Sequence, residues 1–275
     1  MNTRPRIAIL MATYNGAEFL REQLDSLYSQ SYQDWILYVN DDCSNDATVS
    51  IVNEYKRIYG NIDLQCNPTS LGAKGNFMNL LERADSDYYM FCDHDDVWMP
   101  HKVMCTLEEM RKAELSACDK PVAVFSDLCV VDQNMNEIAP SFWEYNKIRP
   151  DRISLSWLGV RCVATGCTMM INRIARDMSL NIPDVAKMHD IWISLVVKKN
   201  DGVLYPIFEP LVYYRQHGTN VYGALKESKF SFLAKLKNLR SLWCDNLQQY
   251  RMLQQVKYGS VFKYLYYKLR FICGL

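Results

Sequence analysis

The chain has 275 residues, of which 49% are hydrophobic and 23% charged, and its net charge at pH 7 is zero. This composition can bury a sizeable core and excludes a disordered chain, and the length fits one large domain with or without an appendage. The ten cysteines include no CxxC pair, which argues against a zinc ribbon or a thioredoxin-like motif. We therefore expect reduced, mostly buried thiols in a cytosolic protein.

Charge is distributed unevenly along the chain. From Lys226 onward, ten Lys and Arg residues stand against only Glu227 and Asp245, so this part carries +8 and the rest carries −8. The two parts are expected to meet different partners. No uncharged apolar stretch reaches the roughly 20 residues that a membrane-spanning helix needs, so we expect a protein that does not cross a membrane.

Five short apolar segments alternate with segments of helical periodicity in the first 130 residues. The apolar segments are the predicted strands, Ile7–Ala12, Trp35–Val39, Ile62–Cys66, Tyr88–Cys92 and Val122–Phe125. Ser44 and Asn45 are candidate N-caps for the helix after the second strand. Strand–helix alternation with short loops predicts βαβ units, and therefore an α/β fold with a mostly parallel central sheet flanked by helices.

Polar residues cluster where three predicted strands end. They form the segments Thr13-Tyr14-Asn15, Asp41-Asp42 and Asp93-His94-Asp95-Asp96. In parallel sheets, ligands bind beyond the carboxyl ends of the strands. An aromatic ring and a carboxylate at neighbouring strand ends, such as Tyr14 and Asp42, can pack against a pyrimidine and accept its imide N–H. An ordinary polar turn and an Asp N-cap are the alternative explanation.

The segment Asp93–Asp96 places three carboxylates at the end of the fourth strand. Carboxylates at i and i+2 can bind Mg²⁺ or Mn²⁺, with substrate phosphates completing the coordination. A solvated acidic turn is the alternative, but repulsion between three neighbouring carboxylates favours a cation. Neither GxGxxG nor GxxxxGK[ST] occurs, which argues against dinucleotide and ATP binding and leaves a metal to neutralise phosphates.

The same acidic segment allows a second interpretation. Extended to Val97, it matches the DxDx[TV] signature of haloacid-dehalogenase-type phosphatases, in which Asp93 would be the phosphoryl nucleophile. That motif normally follows the first strand of its domain, whereas here it follows the fourth. A clear downstream Lys and paired-acid motif is also missing. The phosphatase is kept as an alternative.

Taken together, the motifs resemble those of family 2 glycosyltransferases with the GT-A fold. The chain has the T-Y-N turn, a Q-x-x-S-L-x-x-Q helix at Gln23–Gln30, a D-D-x-S-x-D loop at Asp41–Asp46 and the D-x-D-D motif. Tyr214–Asn220 reads Y-R-Q-H-G-x-N, as in the rhamnosyltransferase-like branch. The resemblance covers about the first 220 residues. Cys43 departs from it, because the family usually has Gly there.

The resemblance implies metal-dependent, inverting transfer of a sugar from dTDP-rhamnose or a UDP-hexose to a hydroxyl of a glycan or lipid-linked glycan. It implies that Asp190 is the catalytic base, and His189 stands where the family commonly has Glu. The other implied roles are nucleotide binding by Thr13, Tyr14, Asn15, Asp42 and Lys74, Mn²⁺ or Mg²⁺ binding by Asp93, Asp95 and His217, diphosphate binding by Arg215, and acceptor binding by Asp127, Thr165 and Trp98. A non-catalytic subunit that binds sugar nucleotides is the remaining alternative.

On this basis we predict a GT-A catalytic domain at 1–225, with a nucleotide-sugar-binding half at 1–130 and an acceptor half at 131–225. A basic, aromatic, helical tail follows at 226–275. Such helices bind well in the headgroup region of anionic membranes, so we expect peripheral contact with the inner face of the cytoplasmic membrane. A helical cap packed on the catalytic domain is the alternative. The acidic catalytic part argues against nucleic acid.

Overall fold

The computed structural model describes residues 6–218 and 239–273, with the backbone alone for 239–242. The first part of the predicted tail, 226–238, lies outside the described residues, as do the boundary at 225 and the last two residues of the Y-R-Q-H-G-x-N stretch.

Strands and helices alternate through the described residues. The strands are β1 Ile7–Thr13, β2 Trp35–Asp41, β3 Ile62–Cys66, β4 Tyr88–Asp93, β5 Val97–Trp98, β6 Val122–Asp132, β7 Glu137–Ala139, β8 Met169–Asn172 and β9 Val203–Gln216. The helices are α1 Leu20–Tyr28, α2 Thr48–Tyr59, α3 Gly72–Arg83, α4 Lys102–Ser116, α5 Phe142–Tyr145, α6 Leu155–Leu158, α7 Arg173–Ser179, α8 His189–Lys199, α9 Leu239–Gln255 and α10 Val261–Ile272.

The described strands form one sheet in the order β3-β2-β1-β4-β8-β6-β9-β5, and β7 pairs with the C-terminal end of β6. Strands β1 to β4 are mutually parallel, and β9 runs parallel to β6. Strand β8 lies between β4 and β6 and runs antiparallel to both. The parallel group β1 to β4 and the parallel pair of β6 and β9 therefore point in the same direction. The predicted α/β fold with a mostly parallel central sheet is confirmed.

Strand β1 shows why the sheet is covered on both faces. Ile7, Ile9 and Met11 belong to one core cluster with α1, α2 and α4, whereas Ala8 and Leu10 belong to the opposite cluster with α3 and α8. Successive side chains of a strand point to opposite faces, so a continuous apolar run is buried twice. Burial of each large aliphatic side chain contributes roughly 1.5–3 kcal/mol. With both faces covered, a ligand can reach the sheet only at its ends.

The register of the central strands brings the predicted polar segments to one edge of the sheet. Thr13 of β1 pairs with Asp41 of β2, and Ala12 pairs with Asp93 of β4. The residues that follow these positions therefore leave the sheet side by side.

Two local predictions are wrong, the N-cap of α2 and the burial of most thiols. Helix α2 begins at Thr48 without a side-chain cap, and the Ser44 hydroxyl donates instead to Asp41 Oδ1 at 2.6 Å. Strand β6 includes residue 130, so the two predicted halves share one sheet, and their division into a nucleotide-sugar half and an acceptor half stays a prediction. None of the ten cysteines forms a disulfide, but five are exposed, namely Cys43, Cys66, Cys118, Cys244 and Cys273.

The described part of the predicted tail packs on the rest of the protein. Met252, Leu253, Tyr258 and Tyr264 are buried in the same core cluster as α3 and α8. The Tyr258 hydroxyl donates to the Ser156 carbonyl at 2.9 Å. This part of the tail is therefore a cap on the domain. Among the described helices, none has the length and apolar character that crossing a bilayer would require.

Candidate active site

A cavity of about 790 Å³ lies at the carboxyl ends of β1, β2 and β4. Most of the predicted site residues line it, namely Thr13, Tyr14, Asn15, Asp42, Asp93, Asp95, Thr165, Asp190 and His217. These come from the two ends of the catalytic domain and from its middle. The other predicted residues, Lys74, Trp98, Asp127 and Arg215, lie elsewhere.

The turn after β1 presents an aromatic ring to the cavity. Thr13 is buried, and its hydroxyl donates to Asp41 Oδ1 at 2.9 Å. Asn15 has a φ of +46°, which Asn tolerates better than most residues, and its N–H donates to Ser44 Oγ at 2.8 Å. Tyr14 is therefore held between two fixed neighbours while its ring stays 56% exposed. An exposed ring on a backbone segment fixed in this way can pack against a flat base.

The Asp42 carboxylate is held by the loop that precedes α3. Oδ1 accepts from Leu71 N–H at 2.7 Å and Asn67 Nδ2 at 2.9 Å, and Oδ2 accepts from Ser70 Oγ at 2.7 Å and Gly72 N–H at 2.9 Å. Burial alone would raise the pKa of Asp42, but these hydrogen bonds outweigh it and hold the pKa below the ordinary value. Asp42 is therefore ionised and fixed in orientation.

Negative charge accumulates at the end of β4. Burial, followed by the neighbouring carboxylates of Asp95 and Asp190, raises the pKa of Asp93 to about 7. Asp95 Oδ2 lies 2.8 Å from Nε2 of His217, so a residue after β9 reaches the acidic segment after β4. The structure thus brings Asp93, Asp95 and His217 to one wall of the cavity.

This donor set fits the implied Mn²⁺ or Mg²⁺. Carboxylate oxygens are preferred ligands of Mg²⁺ and Mn²⁺, and a neutral imidazole nitrogen can complete such a ligand set. The raised pKa of Asp93 reflects like-charge repulsion and burial that a cation would offset. Asp93 also lies close to Asp96 and Cys167, with potential ligand atoms within 4.8 Å of one another. That second group is less suited, because Asp96 and Cys167 are buried behind the cavity wall and a thiol is a soft ligand.

Arg215 lies behind the acidic segment. Its guanidinium is buried and donates to Glu22 Oε2 at 2.5 Å, the Gln133 carbonyl at 2.8 Å and the Asp95 carbonyl at 2.9 Å. It also lies over the Phe19 ring at 4.7 Å. In this arrangement Arg215 positions the backbone of the acidic segment. The predicted contact with a diphosphate would require it to leave these partners, so that role stays a prediction.

Lys102 is a buried cation that the sequence did not single out. Its ammonium donates to the Cys167 carbonyl at 2.6 Å and lies 3.2 Å from the centroid of the Trp98 ring. Burial lowers the pKa of Lys102 to about 7, although Asp96 and Asp93 act in the opposite direction. Trp98 is buried under this ammonium, so the structure gives no support to its predicted contact with an acceptor.

Asp190 lies in the first turn of helix α8, beside the loop that contains Thr165. Its Oδ2 accepts from the Gly166 N–H at 3.1 Å, and its Oδ1 accepts from the Ile191 N–H at 2.7 Å. Burial raises the pKa of Asp190 to about 6, although both backbone hydrogen bonds act to lower it. A carboxylate that is fixed by backbone donors and titrates near neutrality is suited to accept a proton.

His189, whose role the sequence left open, is buried next to this carboxylate. Its ring lies between Phe77 and Phe91, with centroid distances of 4.3 and 4.7 Å. Burial lowers the pKa of His189 to about 3, so the imidazole is neutral. A Cβ on Gly166 would lie 2.8 Å from Nε2, so the absence of a side chain there makes room for this ring.

Two further predicted residues have structural partners. The Lys74 ammonium donates to the carbonyls of Asp184 and Ala186 at 2.9 and 3.0 Å, and so holds the segment before α8. Asp127 accepts from Leu128 N–H at 2.8 Å and from Trp143 N–H at 3.2 Å, which stabilises the start of α5. Their predicted roles at the diphosphate and the acceptor stay predictions that these contacts do not favour.

The chain is similar to known glycosyltransferases. The model of the family "Glycosyl transferase family 2" matches residues 8–178. The dTDP-rhamnosyl transferase RfbG of Shigella flexneri is 26% identical over 248 residues, 85% of this chain and 80% of that protein. The UDP-Glc:alpha-D-GlcNAc-diphosphoundecaprenol beta-1,3-glucosyltransferase WfgD of Escherichia coli is 26% identical over 195 residues, 70% of this chain and 71% of that protein.

Solved structures agree in fold. The crystal structure of S. aureus TarS 1–349 in complex with UDP has a TM-score of 0.62 and 16% identity, over 98% of this chain and 92% of that chain. A longer crystal structure of TarS extends well beyond the match, which covers 37% of that chain. The predicted GT-A fold is confirmed. The family match includes Asp93, which leaves the phosphatase alternative without support. The chain therefore belongs to glycosyl transferase family 2 and is a glycosyltransferase.

Proposed function

We propose that the protein is a metal-dependent, inverting glycosyltransferase. It transfers L-rhamnose from dTDP-rhamnose, or a hexose from a UDP-sugar, to a hydroxyl of a cell-surface glycan precursor. The observation that carries this proposal is the meeting of Tyr14, Asp42, Asp93, Asp95 and Asp190 around one cavity. These residues supply a stacking ring, a fixed acceptor for a base N–H, carboxylates for a cation and a candidate proton acceptor.

The pyrimidine base is expected to pack on Tyr14 and to donate its imide N–H to Asp42. A carboxylate offers about four lone-pair sites, and four donors already use those of Asp42. The base must therefore replace or share one of them. The Ser70 hydroxyl is the donor that can rotate away at least cost, because the other donors are two backbone N–H groups and a side-chain amide. Thymine and uracil present the same imide edge, so this contact serves both donor classes.

Asp93, Asp95 and His217 would hold the cation, which, when bound, offsets the charge of the donor diphosphate. Arg215 and Glu22 keep the backbone of the acidic segment in place, because the Arg215 guanidinium connects Glu22 to the Asp95 carbonyl. The carboxylates are thus positioned before the donor arrives.

Asp190 removes the proton from the acceptor hydroxyl as its oxygen bonds to the anomeric carbon. The bond from that carbon to the diphosphate breaks on the opposite face and the nucleoside diphosphate leaves, so this single displacement inverts the anomeric carbon. The backbone N–H groups of Gly166 and Ile191 fix the orientation of the two carboxylate oxygens of Asp190. The raised pKa of Asp190 makes its carboxylate a stronger base than an exposed Asp while it stays ionised at neutral pH.

We further propose that the acceptor is a glycan precursor, including lipid-linked forms, at the inner face of the cytoplasmic membrane. The name of WfgD specifies a diphosphoundecaprenol acceptor for that enzyme, which supports a lipid-linked acceptor here. The balance of +8 beyond Lys226 supports peripheral contact with anionic lipid. No nucleic-acid partner is expected.

Thermal-shift screening of dTDP-rhamnose, UDP-glucose and UDP-N-acetylglucosamine with Mn²⁺ tests the donor, and mass spectrometry of donor hydrolysis then tests the chemistry. We expect one donor to stabilise the protein and to be slowly hydrolysed. Donor binding without hydrolysis would favour the non-catalytic subunit. A protein stabilised by none of these donors, with or without Mn²⁺, would contradict the proposal.

A further inference from the structure

Helix α10 has an exposed apolar face. Its members recur at the i, i+3 and i+4 positions of one helix face and are 47% to 78% exposed, namely Phe262, Leu265, Tyr266, Leu269 and Ile272. We call these five residues the outer face of α10. On a helix of a water-soluble domain, the face turned to solvent is normally polar. An exposed apolar face of this kind marks an interaction surface.

The opposite side of α10 is anchored to the protein. Tyr264 is buried, and its hydroxyl donates to Asn246 Oδ1 at 2.9 Å. The Tyr267 ring contacts the edge of Trp157 at a centroid distance of 5.5 Å. These contacts fix the rotation of α10 about its axis, so the outer face stays turned to solvent.

The Arg270 guanidinium borders the outer face, and the Arg152 guanidinium lies against the same Trp157 ring as Arg270. Arg152 and Arg270 lie 5.2 and 5.5 Å from the centroid of the Trp157 ring, and Arg270 also lies 5.8 Å from the ring of Tyr266. In the described part of the chain neither makes a salt bridge. Arginine on an aromatic ring keeps its donors available for phosphate oxygens. An apolar stripe next to free guanidinium groups matches the acyl chains and phosphates of a lipid surface.

Helix α10, which carries the outer face, lies close to the catalytic cavity. Arg161 lines the cavity, donates to the Asn146 carbonyl at 3.2 Å and lies 5.2 Å from the ring of Phe271 in α10. One side chain thus contacts both the cavity and the helix. The cavity therefore lies next to the helix that carries the outer face.

We propose that the outer face of α10, together with Arg152 and Arg270, is the surface through which the protein docks on an anionic bilayer. The apolar side chains enter the headgroup boundary, and the guanidinium groups bind lipid phosphates. The link between this surface and a lipid-borne acceptor rests on the proposed function. The docking on a bilayer does not depend on it. A second copy of the chain fits less well, because the +8 of each tail would meet the same charge on its partner.

The test uses the full chain and co-sedimentation with vesicles of phosphatidylglycerol or phosphatidylcholine at low and high salt. One variant combines Phe262→Ser, Leu265→Ser and Leu269→Ser, and a second combines Arg152→Gln with Arg270→Gln. The matched control combines Leu115→Ser with Phe208→Ser, because these residues of α4 and β9 are 88% and 72% exposed. Binding of UDP and dTDP with Mn²⁺, measured by calorimetry, reports on the catalytic site independently.

We expect the wild type and the control to bind phosphatidylglycerol vesicles, more weakly at high salt and on phosphatidylcholine. Each variant should lose at least about tenfold in vesicle affinity with nucleotide binding unchanged. Variants that still sediment like the wild type would overturn the proposal. The proposal would also be overturned if analytical ultracentrifugation showed that the wild type is a dimer and the serine variant a monomer, with equal vesicle binding by both. If the wild type bound neither UDP nor dTDP, this result would count against the proposed function and leave the docking proposal unaffected.

Discussion

Nε2 of His217 lies 2.8 Å from Oδ2 of Asp95, although the two residues are 122 positions apart in the chain. The Arg215 N–H also donates to Asp96 Oδ1 at 3.1 Å, and its guanidinium donates to the Asp95 carbonyl at 2.9 Å, so the end of β9 contacts the acidic segment at three points. Two potential cation ligands therefore face each other at the cavity wall. Because the acidic segment and β9 are joined here, a change at His217 is expected to affect the position of Asp95 as well as the ligand set.

We predict that donor binding depends on a divalent cation and on Asp95. Carboxylates and a diphosphate repel each other unless a cation lies between them. Calorimetry of UDP and dTDP should therefore show affinity in Mn²⁺ that falls at least about tenfold in EDTA, which corresponds to about 1.4 kcal/mol. Asp95→Asn should show the same loss in the presence of Mn²⁺. Equal affinity with Mn²⁺ and with EDTA would contradict metal-assisted binding.

We predict that Asp190→Asn lowers turnover by roughly 10²- to 10⁴-fold while donor affinity is retained, because the amide keeps the shape but cannot accept the proton. Turnover is measured with the donor found by the thermal-shift screen. Asp85→Asn is the control, since Asp85 is an exposed carboxylate that pairs with Arg173 and does not line the cavity. Near-native turnover of Asp190→Asn would place the base elsewhere.

The pH dependence of the reaction should report the same carboxylate. The pKa of Asp190 is raised to about 6, so protonation below that pH removes the base. We expect kcat/KM at saturating Mn²⁺ to be level above pH 7 and to fall about tenfold per pH unit well below 6. The residual activity of Asp190→Asn should lack this fall. A wild-type profile that stays flat down to pH 5 would exclude Asp190 as the titrating base.

The sequence predicted the sheet better than it predicted the contacts of individual charges. Ile7–Ala12 is a continuous apolar run, and this local pattern is enough to predict a doubly covered strand. The local sequence around Lys102 and Lys74 does not distinguish them from solvated lysines. The burial of Lys102 and the carbonyl partners of Lys74 arise only when distant segments of the chain pack together. For Arg215, the resemblance predicted a ligand contact, whereas Glu22, far away in sequence, binds its guanidinium in the structure.

The last prediction concerns Lys102, whose ammonium lies between the Cys167 carbonyl and the Trp98 ring. Lys102→Met keeps most of the volume but leaves that buried carbonyl without its donor, at a cost of about 1–3 kcal/mol. Chemical denaturation at pH 7 should show this decrease in the free energy of unfolding. Lys112→Met, on the same helix, removes an exposed pair with Glu109 and should change stability by no more than about 0.5 kcal/mol. Equal effects of the two substitutions would show that the buried ammonium contributes nothing beyond a surface lysine.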